Sequence, residues 1–580
     1  MTGHDLHYHI DPSRCHAHLY GVELRITQPT GPLTLSLPVW IPGSYMVREF
    51  AQHLQGLTAE ADGQPVRVVA LNKTQWRVVV PSDTTQVVVR YQVYAWDTSV
   101  RTAFLDAHRG FFNPTSVCLR VDEWAHHGHR LHITASPEWG WRLATALPRL
   151  LTDAQGFGTY RATDYDELAD SPVEMGTFWS AEFEVRGVPH RWVVSGAPPG
   201  WDGARLVADT ARICEAAMTL WHGSGAPPFD RYVFMLHATA SGYGGLEHRH
   251  STALICQRSD LPMTGSPAQP TEGYTTLLGL ISHEYFHAWN VKRLRPQALA
   301  TLDYQRENYT DQLWFFEGFT SYYDDLLVLR AGLIDEPTYL RLLGKTINQV
   351  LNTPGRHVQS VAQASFDAWI KYYRVNENTP NATVSYYTKG ALVALCLDLT
   401  LRAEGHTSLD DVMRALYPRC QGGPMGDADL RAVLQALGQR PFDAELDAWV
   451  HGTDDLPLQT LLQSTGIHWN ETPAPLAQQL GVRVKERDGL VLTHVLRDSA
   501  AEAAGLAAGD EWIGIECPAL GDATASAWRV RTLDEVGLYA SGHTHLTALV
   551  ARDGRLLRCP LTWPKPTTQV QLNRPAPHPH

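Results

Sequence analysis

Residues 283–296, with the sequence HEYFHAWNVKRLRP, contain a His-Glu-x-x-His pattern that places His283 and His287 four positions apart. Side chains with this spacing lie on one face of an α-helix, where both imidazoles can reach the same metal ion. Apolar residues recur upstream at three- and four-residue spacing, which predicts a helix over residues 274–293. The stretch therefore indicates a metal-binding helix, and a histidine pair on a solvated helix surface is the alternative.

A catalytic zinc site takes three protein ligands and keeps one position open. Residues 314–320, WFFEGFT, offer Glu317 as the third ligand, a lone carboxylate among aromatic residues. A charge in such surroundings is costly unless it is paired or bound to a metal, although a glutamate on the helix surface is the alternative. Glu284 directly follows the first histidine and is the candidate general base for the attacking water.

Two further segments carry groups that could contact a substrate. Tyr387 opens a helix predicted over residues 389–403, and a hydroxyl aimed at the metal could donate to an oxyanion; a core or capping role is the alternative. In the stretch GYGGLEH (242–248), Gly244 and Gly245 would let a peptide backbone approach closely, and Glu247 could bind a free α-amine. An ordinary glycine-rich turn is the alternative for this stretch.

The hydrophobic pattern changes along the 580 residues, a length that fits about four domains. Alternating apolar residues predict a β-rich, β-sandwich-like domain over residues 1–185. Helical spacing dominates residues 200–465, with further helices predicted over 206–221, 309–330, 338–350 and 428–437. Strands return in residues 469–565, and the proline-rich tail, residues 566–580, is expected to be loose and flexible.

The net charge and the spacing of the cysteines restrict the expected binding partners and the expected cellular compartment. The chain has 48 Lys+Arg against 61 Asp+Glu, so its net charge of −13 argues against nucleic acid or an anionic membrane as the main partner. Its apolar runs fall far short of the ~18 residues that a membrane span needs. The N-terminus does not resemble a secretory signal, and eight separated cysteines without CxxC fit a reducing compartment. We therefore expect a cytoplasmic protein.

The motifs together resemble those of gluzincin aminopeptidases, and more narrowly those of the glycyl aminopeptidases, family sixty-one of the metallopeptidases. The resemblance covers nearly the whole chain and rests on PVWIPGSY (38–45), RGFFN (109–113), DYDEL (164–168), GGLEH (244–248), HEYFHAWNVKRLRP (283–296), WFFEGFTSYY (314–323) and YTKG (387–390). One departure from the larger aminopeptidase group is His248, which stands where that group has asparagine.

The resemblance implies a set of roles for these residues. One Zn²⁺ per chain would be held by His283, His287 and Glu317, with Glu284 as the base. Tyr387 would act as the oxyanion donor, and Glu247 would bind the substrate amine. The resemblance also implies a thermolysin-like catalytic domain over residues 186–345, a helical domain over residues 346–468, and release of small N-terminal residues, Gly or Ala.

Residues 469–565 resemble a PDZ domain of the bacterial protease type. Leu480, Gly481 and Val482 match the loop whose backbone amides receive a peptide carboxylate, and AGLAAGD (504–510) matches a later turn. A PDZ groove binds an extended chain by adding it as a strand. Capture of a peptide or protein C-terminus is one function that the resemblance allows; a packing module that braces the catalytic domain is the other.

The leading hypothesis is a multidomain α+β zinc aminopeptidase acting on peptides, with no role for nucleic acid or membrane. A PDZ-guided endopeptidase or processing protease is the first alternative. A non-catalytic, zinc-bearing chaperone or scaffold is the second, and the intact Glu284 argues against it because a structural zinc site needs no base. The sequence sets no oligomeric state.

Overall fold

The computed structural model of the protein describes residues 6–135, 139–521 and 524–575. The chain divides into two compact units. The first comprises Met1–Thr310, Tyr323–Ile334 and Met413–Leu430. The second comprises Asp311–Tyr322, Asp335–Val412 and Arg431–His580.

Three sheets build the N-terminal part of the first unit and confirm that it is β-rich. An eight-stranded sheet has the order Arg149–Thr152, Gly158–Ala162, His129–Ile133, Leu6–Arg14, Leu19–Thr27, Gln86–Tyr94, Leu54–Ala61 and Gln64–Val66. A four-stranded sheet has the order Arg142–Thr145, Val173–Gly176, Arg109–Phe112 and Ala103–Leu105. A second four-stranded sheet has the order Arg120–Val121, Leu33–Ser36, Gln75–Val78 and Val68–Ala70.

Two-residue alternation accounts for these strands. In Gln86–Tyr94 the side chains of Val87, Val89, Tyr91 and Val93 are buried, and their neighbours are half-buried or exposed. One face of the strand therefore packs into the core while the other faces outward.

A five-stranded sheet follows in the same unit, in the order Trp179–Val185, Val188–Ser195, Tyr232–Thr239, Ser251–Gln257 and Gly244–Glu247. Its first two strands form an antiparallel hairpin that crosses the domain boundary predicted at residue 185. Its last strand, Gly244–Glu247, pairs on one side only, with Ser251–Gln257, and is called the edge strand here. The glycine-rich stretch is therefore extended over these four residues rather than an ordinary turn.

The His-Glu-x-x-His pattern lies at the end of the helix Glu272–Phe286, called the motif helix here. The predicted helix over residues 274–293 is wrong beyond Phe286. His287 still donates its N–H to the carbonyl of His283, but Trp289 then bonds to Phe286 at three-residue spacing, which is a tight turn. The apolar periodicity continues past this point because the turn is also buried, so periodicity alone could not locate the helix end.

The helices predicted over residues 206–221, 338–350, 389–403 and 428–437 are confirmed, whereas the helix over residues 309–330 is interrupted. It consists of Leu313–Phe316 and Gly318–Arg330, and Glu317 lies between them. A Cβ atom on Gly318 would lie 2.6 Å from backbone atoms of Gly390, so a glycine is required at this crossing.

The longer helices of the described chain are Gly203–His222, Glu272–Phe286, Gly318–Arg330, Glu336–Leu351, Thr388–Glu404, Leu409–Arg419, Asp427–Gly438 and Leu533–Ala540. Shorter α-helices are Pro114–Val117, Tyr165–Ala169, Leu313–Phe316, Val361–Phe366, Thr379–Ala382, Asp443–Leu446, Leu458–Ser464, Leu476–Leu480 and Ala500–Ala503. Among the described residues, none of the helices combines the length and the apolar character of a membrane span.

The C-terminal part of the second unit is a sheet with its own core. The strands run in the order Val482–Lys485, Val491–Val495, Glu511–Cys517, His545–Arg552 and Arg555–Thr562, and Ser526–Arg529 pairs with Glu511–Cys517. Trp512, Leu492 and Val536 are fully buried within this core. The assignment of this region as a PDZ domain stays a prediction.

The expectation of a loose tail from residue 566 is wrong for residues 568–573. Thr568–Asn573 is a strand that pairs antiparallel with His468–Pro473, and Pro473 lies opposite Thr568. Alternating Val570 and Leu572 are buried, a pattern masked in the sequence by the flanking prolines. The end of the predicted tail, residues 576–580, lies outside the described residues. A further two-stranded pair, Arg295–Pro296 with Pro424–Met425, lies in the first unit.

Candidate metal centre

His283 lies in the last turn of the motif helix and His287 directly follows this helix, and their rings meet edge to face. Their ring centroids are 4.7 Å apart. Nδ1 of His283 lies 3.1 Å from Oδ2 of Asp324, and Nδ1 of His287 lies 2.7 Å from the carbonyl oxygen of Asn290. A neutral imidazole that donates from Nδ1 to such an oxygen keeps the lone pair of Nε2 for a metal ion. Both rings are therefore oriented as a pair of metal ligands would be.

Close packing of the motif helix brings Asp324 to His283. The Ser282 hydroxyl donates to the carbonyl oxygen of Asp324 at 2.8 Å. A Cβ atom on Gly279 would lie 2.8 Å from Oδ1 of Asp325, so a larger side chain there would displace the carboxylate of Asp325. Sequence reasoning missed Asp324, which lies within the helix Gly318–Arg330.

Two groups of potential ligand atoms satisfy the distances of a metal site among the described residues. In the first, one atom each from His283, His287 and Glu317 lies within 4.8 Å of the others. In the second, the same holds for Glu247, Glu284 and His287. The first group is the ligand set predicted from the sequence, and the second places the predicted base and the predicted amine-binding carboxylate next to a histidine of that set.

Glu284 is almost completely buried, with 5% of its surface exposed, and it lies against the edge strand. A Cβ atom on Gly245 would overlap Oε1 of Glu284. The carboxylate therefore occupies the space that the side chain of any other residue at position 245 would fill. The glycine at this position therefore has a steric reason: it lets the edge strand and the motif helix approach with a carboxylate between them.

Glu247 ends the edge strand and is 3% exposed. Its Oε1 is buried without a hydrogen-bond partner among the described residues. A Cβ atom on Gly43, from the segment PVWIPGSY, would lie 2.5 Å from this Oε1. A buried carboxylate oxygen with no partner is costly, so the arrangement favours a cationic ligand at this position.

Tyr387 lies at the N-cap position of the helix Thr388–Glu404. Its ring stacks on Tyr386 and Tyr372, at centroid distances of 4.8 and 5.3 Å. Burial, followed by the negative charge of Glu317, raises the pKa of Tyr387 well above its usual value. The phenol therefore keeps its proton near neutral pH and is available as a hydrogen-bond donor.

Comparison with known proteins identifies the family to which these residues belong. Residues 7–177 match the peptidase M61 N-terminal domain, and residues 276–393 match the M61 glycyl aminopeptidase. The crystal structure of an aminopeptidase N family protein from Idiomarina loihiensis has 37% identity and a TM-score of 0.91, over 98% of both chains. The chain belongs to the M61 peptidase family. It is a metallopeptidase and hence a hydrolase.

More distant solved structures resemble this M61 peptidase as well. Legionella pneumophila aminopeptidase A has 11% identity and a TM-score of 0.50, over 91% of this chain and 56% of that one, a likeness of fold alone. An M1 zinc metallopeptidase from Deinococcus radiodurans has 16% identity and a TM-score of 0.49, over 79% of this chain and 95% of that one. No curated protein matches the chain.

His248, which departs from the asparagine of the larger aminopeptidase group, has a structural partner in this M61 peptidase. Its Nδ1 lies 3.1 Å from Oδ1 of Asp170, and Nζ of Lys292 lies 2.8 Å from the same oxygen. Oδ2 of Asp170 accepts the N–H of Arg249. Burial opposes ionisation of Asp170, yet Lys292 and His248 hold its pKa far below the usual value. Asp170 thus anchors the chain just beyond Glu247.

A cavity of about 400 Å³ lies beside Glu247 within the first unit. Its lining includes the aromatic rings of Trp40 and Tyr45 and the charged side chains of Asp166 and Lys292. Segments that the sequence placed in the N-terminal domain and in the catalytic domain therefore contribute to one cavity next to the candidate amine-binding carboxylate.

The predicted carboxylate-binding loop, Leu480, Gly481 and Val482, joins the helix Leu476–Leu480 to the strand Val482–Lys485. Gly481 has φ +73°, and a Cβ atom on it would overlap Ser499. Its N–H already donates to the carbonyl oxygen of Gln478 at 3.1 Å. One of the three amides is therefore used within the chain, and capture of a peptide carboxylate at this loop stays a prediction.

Proposed function

We propose that this M61 peptidase is a zinc aminopeptidase that releases small N-terminal residues, Gly or Ala, from peptides. The observation that carries the proposal is the buried, unpartnered Oε1 of Glu247 in a group with Glu284 and His287. A free α-ammonium group would supply the missing partner and would set the scissile bond at a fixed distance beyond it. The description of the family as glycyl aminopeptidases supports a small first residue.

The residues present fit a zinc ion. Two imidazoles held through Nδ1 and one carboxylate are the donor set of many catalytic zinc sites, and their candidate ligand atoms lie within 4.8 Å of one another. His283, His287 and Glu317 would hold one Zn²⁺ per chain. Zinc bound there would supply a Lewis acid that polarises the carbonyl and makes water acidic enough to ionise near neutral pH.

Glu284 would act as the general base. Its buried carboxylate lies between the motif helix and the edge strand, one residue after a ligand histidine, and it would take a proton from the attacking water. The same carboxyl group would then give a proton to the nitrogen of the departing peptide. The absence of a side chain at Gly245 leaves the space that this carboxylate occupies.

Tyr387 would donate its hydrogen bond to the oxygen that gains negative charge during the attack. A phenol with a raised pKa is a donor at neutral pH, and a donor that acts on developing charge lowers the barrier more than it strengthens substrate binding. The stack with Tyr372 and Tyr386 would restrict the ring to one orientation.

The decisive experiment compares a free tripeptide with its N-acetylated form. We expect a preference for the free amine of several orders of magnitude in kcat/KM, because acetylation leaves a buried carboxylate unpaired. Glu247→Ala should reduce hydrolysis of the free peptide far more than that of the blocked one. Equal cleavage of both peptides by the wild type would favour the PDZ-guided endopeptidase instead. No hydrolysis by zinc-loaded protein would favour the scaffold.

The remaining partners and the location are proposals of the same kind. Peptides are the proposed substrates, and a peptide or protein C-terminus is the proposed ligand of the PDZ-like region. A cytoplasmic location, without nucleic acid or membrane partners, is supported by the net charge of −13 and by the separated cysteines.

A further inference from the structure

Arg101 carries a positive charge near the start of the edge strand that nothing in the described chain neutralises. Its Nε is buried and makes no hydrogen bond, and its guanidinium forms no ion pair with any described residue. A Cβ atom on Gly244 would lie 4.0 Å from Nη1 of Arg101. Because arginine is always ionised, a half-buried guanidinium without an acidic partner favours an anionic ligand.

The backbone around Arg101 is held in place. The buried Asn113 donates from Nδ2 to the carbonyl oxygen of Val100 and from its N–H to the carbonyl oxygen of Thr102. The N–H of Arg101 itself donates to Oγ of Ser99. The guanidinium therefore extends from a fixed turn rather than from a free loop, and little ordering of the backbone would accompany ligand binding.

The spacing along the edge strand matches a short peptide. Gly244 and Glu247 are three residues apart in extended chain, which is ~10 Å. A peptide that added itself antiparallel to this edge, with its amine at Glu247, would run toward Gly244. The α-carboxylate of a peptide of about three residues would then end near Gly244, beside the guanidinium of Arg101.

Arg101 and the base approach the edge strand from different sides. Gly245 faces Glu284, and successive residues of a strand face opposite sides, so the Arg101 side chain near Gly244 lies away from Glu284. A carboxylate at the end of a bound peptide could be reached from that side without disturbing the reacting bond.

We propose that Arg101 binds the C-terminal carboxylate of short peptide substrates. The enzyme would then recognise peptides of about three residues by both termini, the α-amine at Glu247 and the α-carboxylate at Arg101. The inference rests on the proposed aminopeptidase function and narrows its substrate class. Arg101 is a substrate-binding residue in this proposal, because it would contact the peptide terminus and not the reacting atoms.

The test uses three substrates of the zinc-loaded protein: trialanine, trialanine amide and alanine p-nitroanilide. We expect the wild type to prefer the free acid over the amide by roughly 10- to 100-fold in kcat/KM, the usual range for a charge-assisted hydrogen bond. Arg101→Gln should lose that preference mainly through KM. It should cleave the amide and the anilide as the wild type does, which a merely misfolded variant would not.

Two variants serve as controls. Arg101→Lys should keep part of the preference because it keeps the charge, and Arg67→Gln, at an exposed position, should behave as the wild type. Equal cleavage of acid and amide by the wild type, or equal loss of all three substrates in Arg101→Gln, would overturn the proposal.

Binding separates failure of this proposal from failure of the proposed function. Calorimetry with Glu284→Gln, which should bind without turnover, should give tighter binding of trialanine than of its amide, and Arg101→Gln added to it should abolish the difference. If the wild type cleaves none of the three substrates but binding still depends on Arg101, the carboxylate site stands and the aminopeptidase function fails. If binding shows no such dependence, the carboxylate site is wrong.

Discussion

Oδ2 of Asp324 lies 3.1 Å from Nδ1 of His283, on the side of the imidazole opposite to the nitrogen that would bind the metal. The carboxylate of Asp324 therefore selects the tautomer and the orientation of the His283 imidazole, although Asp324 is not itself one of the candidate metal ligands. Interactions of this kind are worth a substantial part of the metal affinity of a site.

Asp324→Ala should weaken zinc binding by roughly 10- to 100-fold, because His283 loses the group that orients its ring. Zinc content after dialysis against a graded series of chelator concentrations measures the change. Asp230→Asn is a suitable control, since the Asp230 side chain is 79% exposed. Wild-type zinc affinity in Asp324→Ala would mean that packing alone orients the histidine.

Glu284→Gln should keep the fold and the zinc but lose roughly 10² or more in kcat, because an amide cannot act as a general base. Metal analysis and turnover of an alanine amide test both halves of the prediction. Loss of zinc in this variant would make Glu284 a ligand, in keeping with its place in the second group of potential ligand atoms.

Tyr387→Phe should lower kcat by roughly 10²-fold or more and leave KM nearly unchanged, because the hydroxyl acts on charge that develops only in the transition state. Tyr372→Phe removes a hydroxyl from the neighbouring stacked ring and is the matched control. An unchanged kcat in Tyr387→Phe would assign the residue to packing.

Gly245→Ala should lower kcat while zinc content stays at the wild-type level. The new methyl group would overlap Oε1 of Glu284 and displace the base, and a shift of about 1 Å can cost roughly 10²-fold in rate. Gly128→Ala is the control, since a Cβ atom there meets only the carbonyl oxygen of Ala162 at 3.9 Å. Full activity of Gly245→Ala would show that the edge strand can move away from the motif helix without consequence.

The stability of the first unit should fall as the pH is lowered from 7 to 5. Burial lowers the pKa values of His129, His190 and His250 to about 4 and that of His237 to about 3, against ~6.5 in an unfolded chain. The unfolded state therefore binds more protons in this range, and each such histidine lowers the free energy of unfolding by up to about 1.4 kcal/mol per pH unit.

The midpoint of thermal unfolding, measured between pH 7 and pH 5, checks this expectation. His129→Gln should reduce the slope, because it removes one of the groups that take up a proton on unfolding. A midpoint that stays constant or rises toward pH 5 would contradict the assignment of these histidines as neutral and buried.

Much of the candidate site could be predicted because the spacing of its residues along the sequence determines which side chains lie together. Two histidines four positions apart on an amphipathic helix face one way whatever the tertiary structure, and the structure brings His283 and His287 together in this manner. The roles of Glu284, Glu317, Tyr387 and Glu247 stay predictions that the variants above test.

The features that could not be predicted depend on contacts between distant segments. Asp324 is one carboxylate among many until the packing of the helix Gly318–Arg330 against the motif helix brings it to Ser282 and His283. The end of the motif helix at Phe286 depends on how the following turn is buried. The proposed role of Arg101 depends on the position of its guanidinium beside Gly244, which is distant in the sequence. None of these relationships produces a periodic pattern in the sequence from which it could be predicted.

The pairing of His468–Pro473 with Thr568–Asn573 brings the two ends of the C-terminal sheet region together at one place. Because Pro473 lies opposite Thr568, the chain enters and leaves residues 474–567 side by side, as it does in a domain inserted into a hairpin. A tight turn could in principle replace the whole insertion and leave the two strands in register. The pairing therefore allows the region to be removed or replaced as a unit while Pro473 and Thr568 stay side by side.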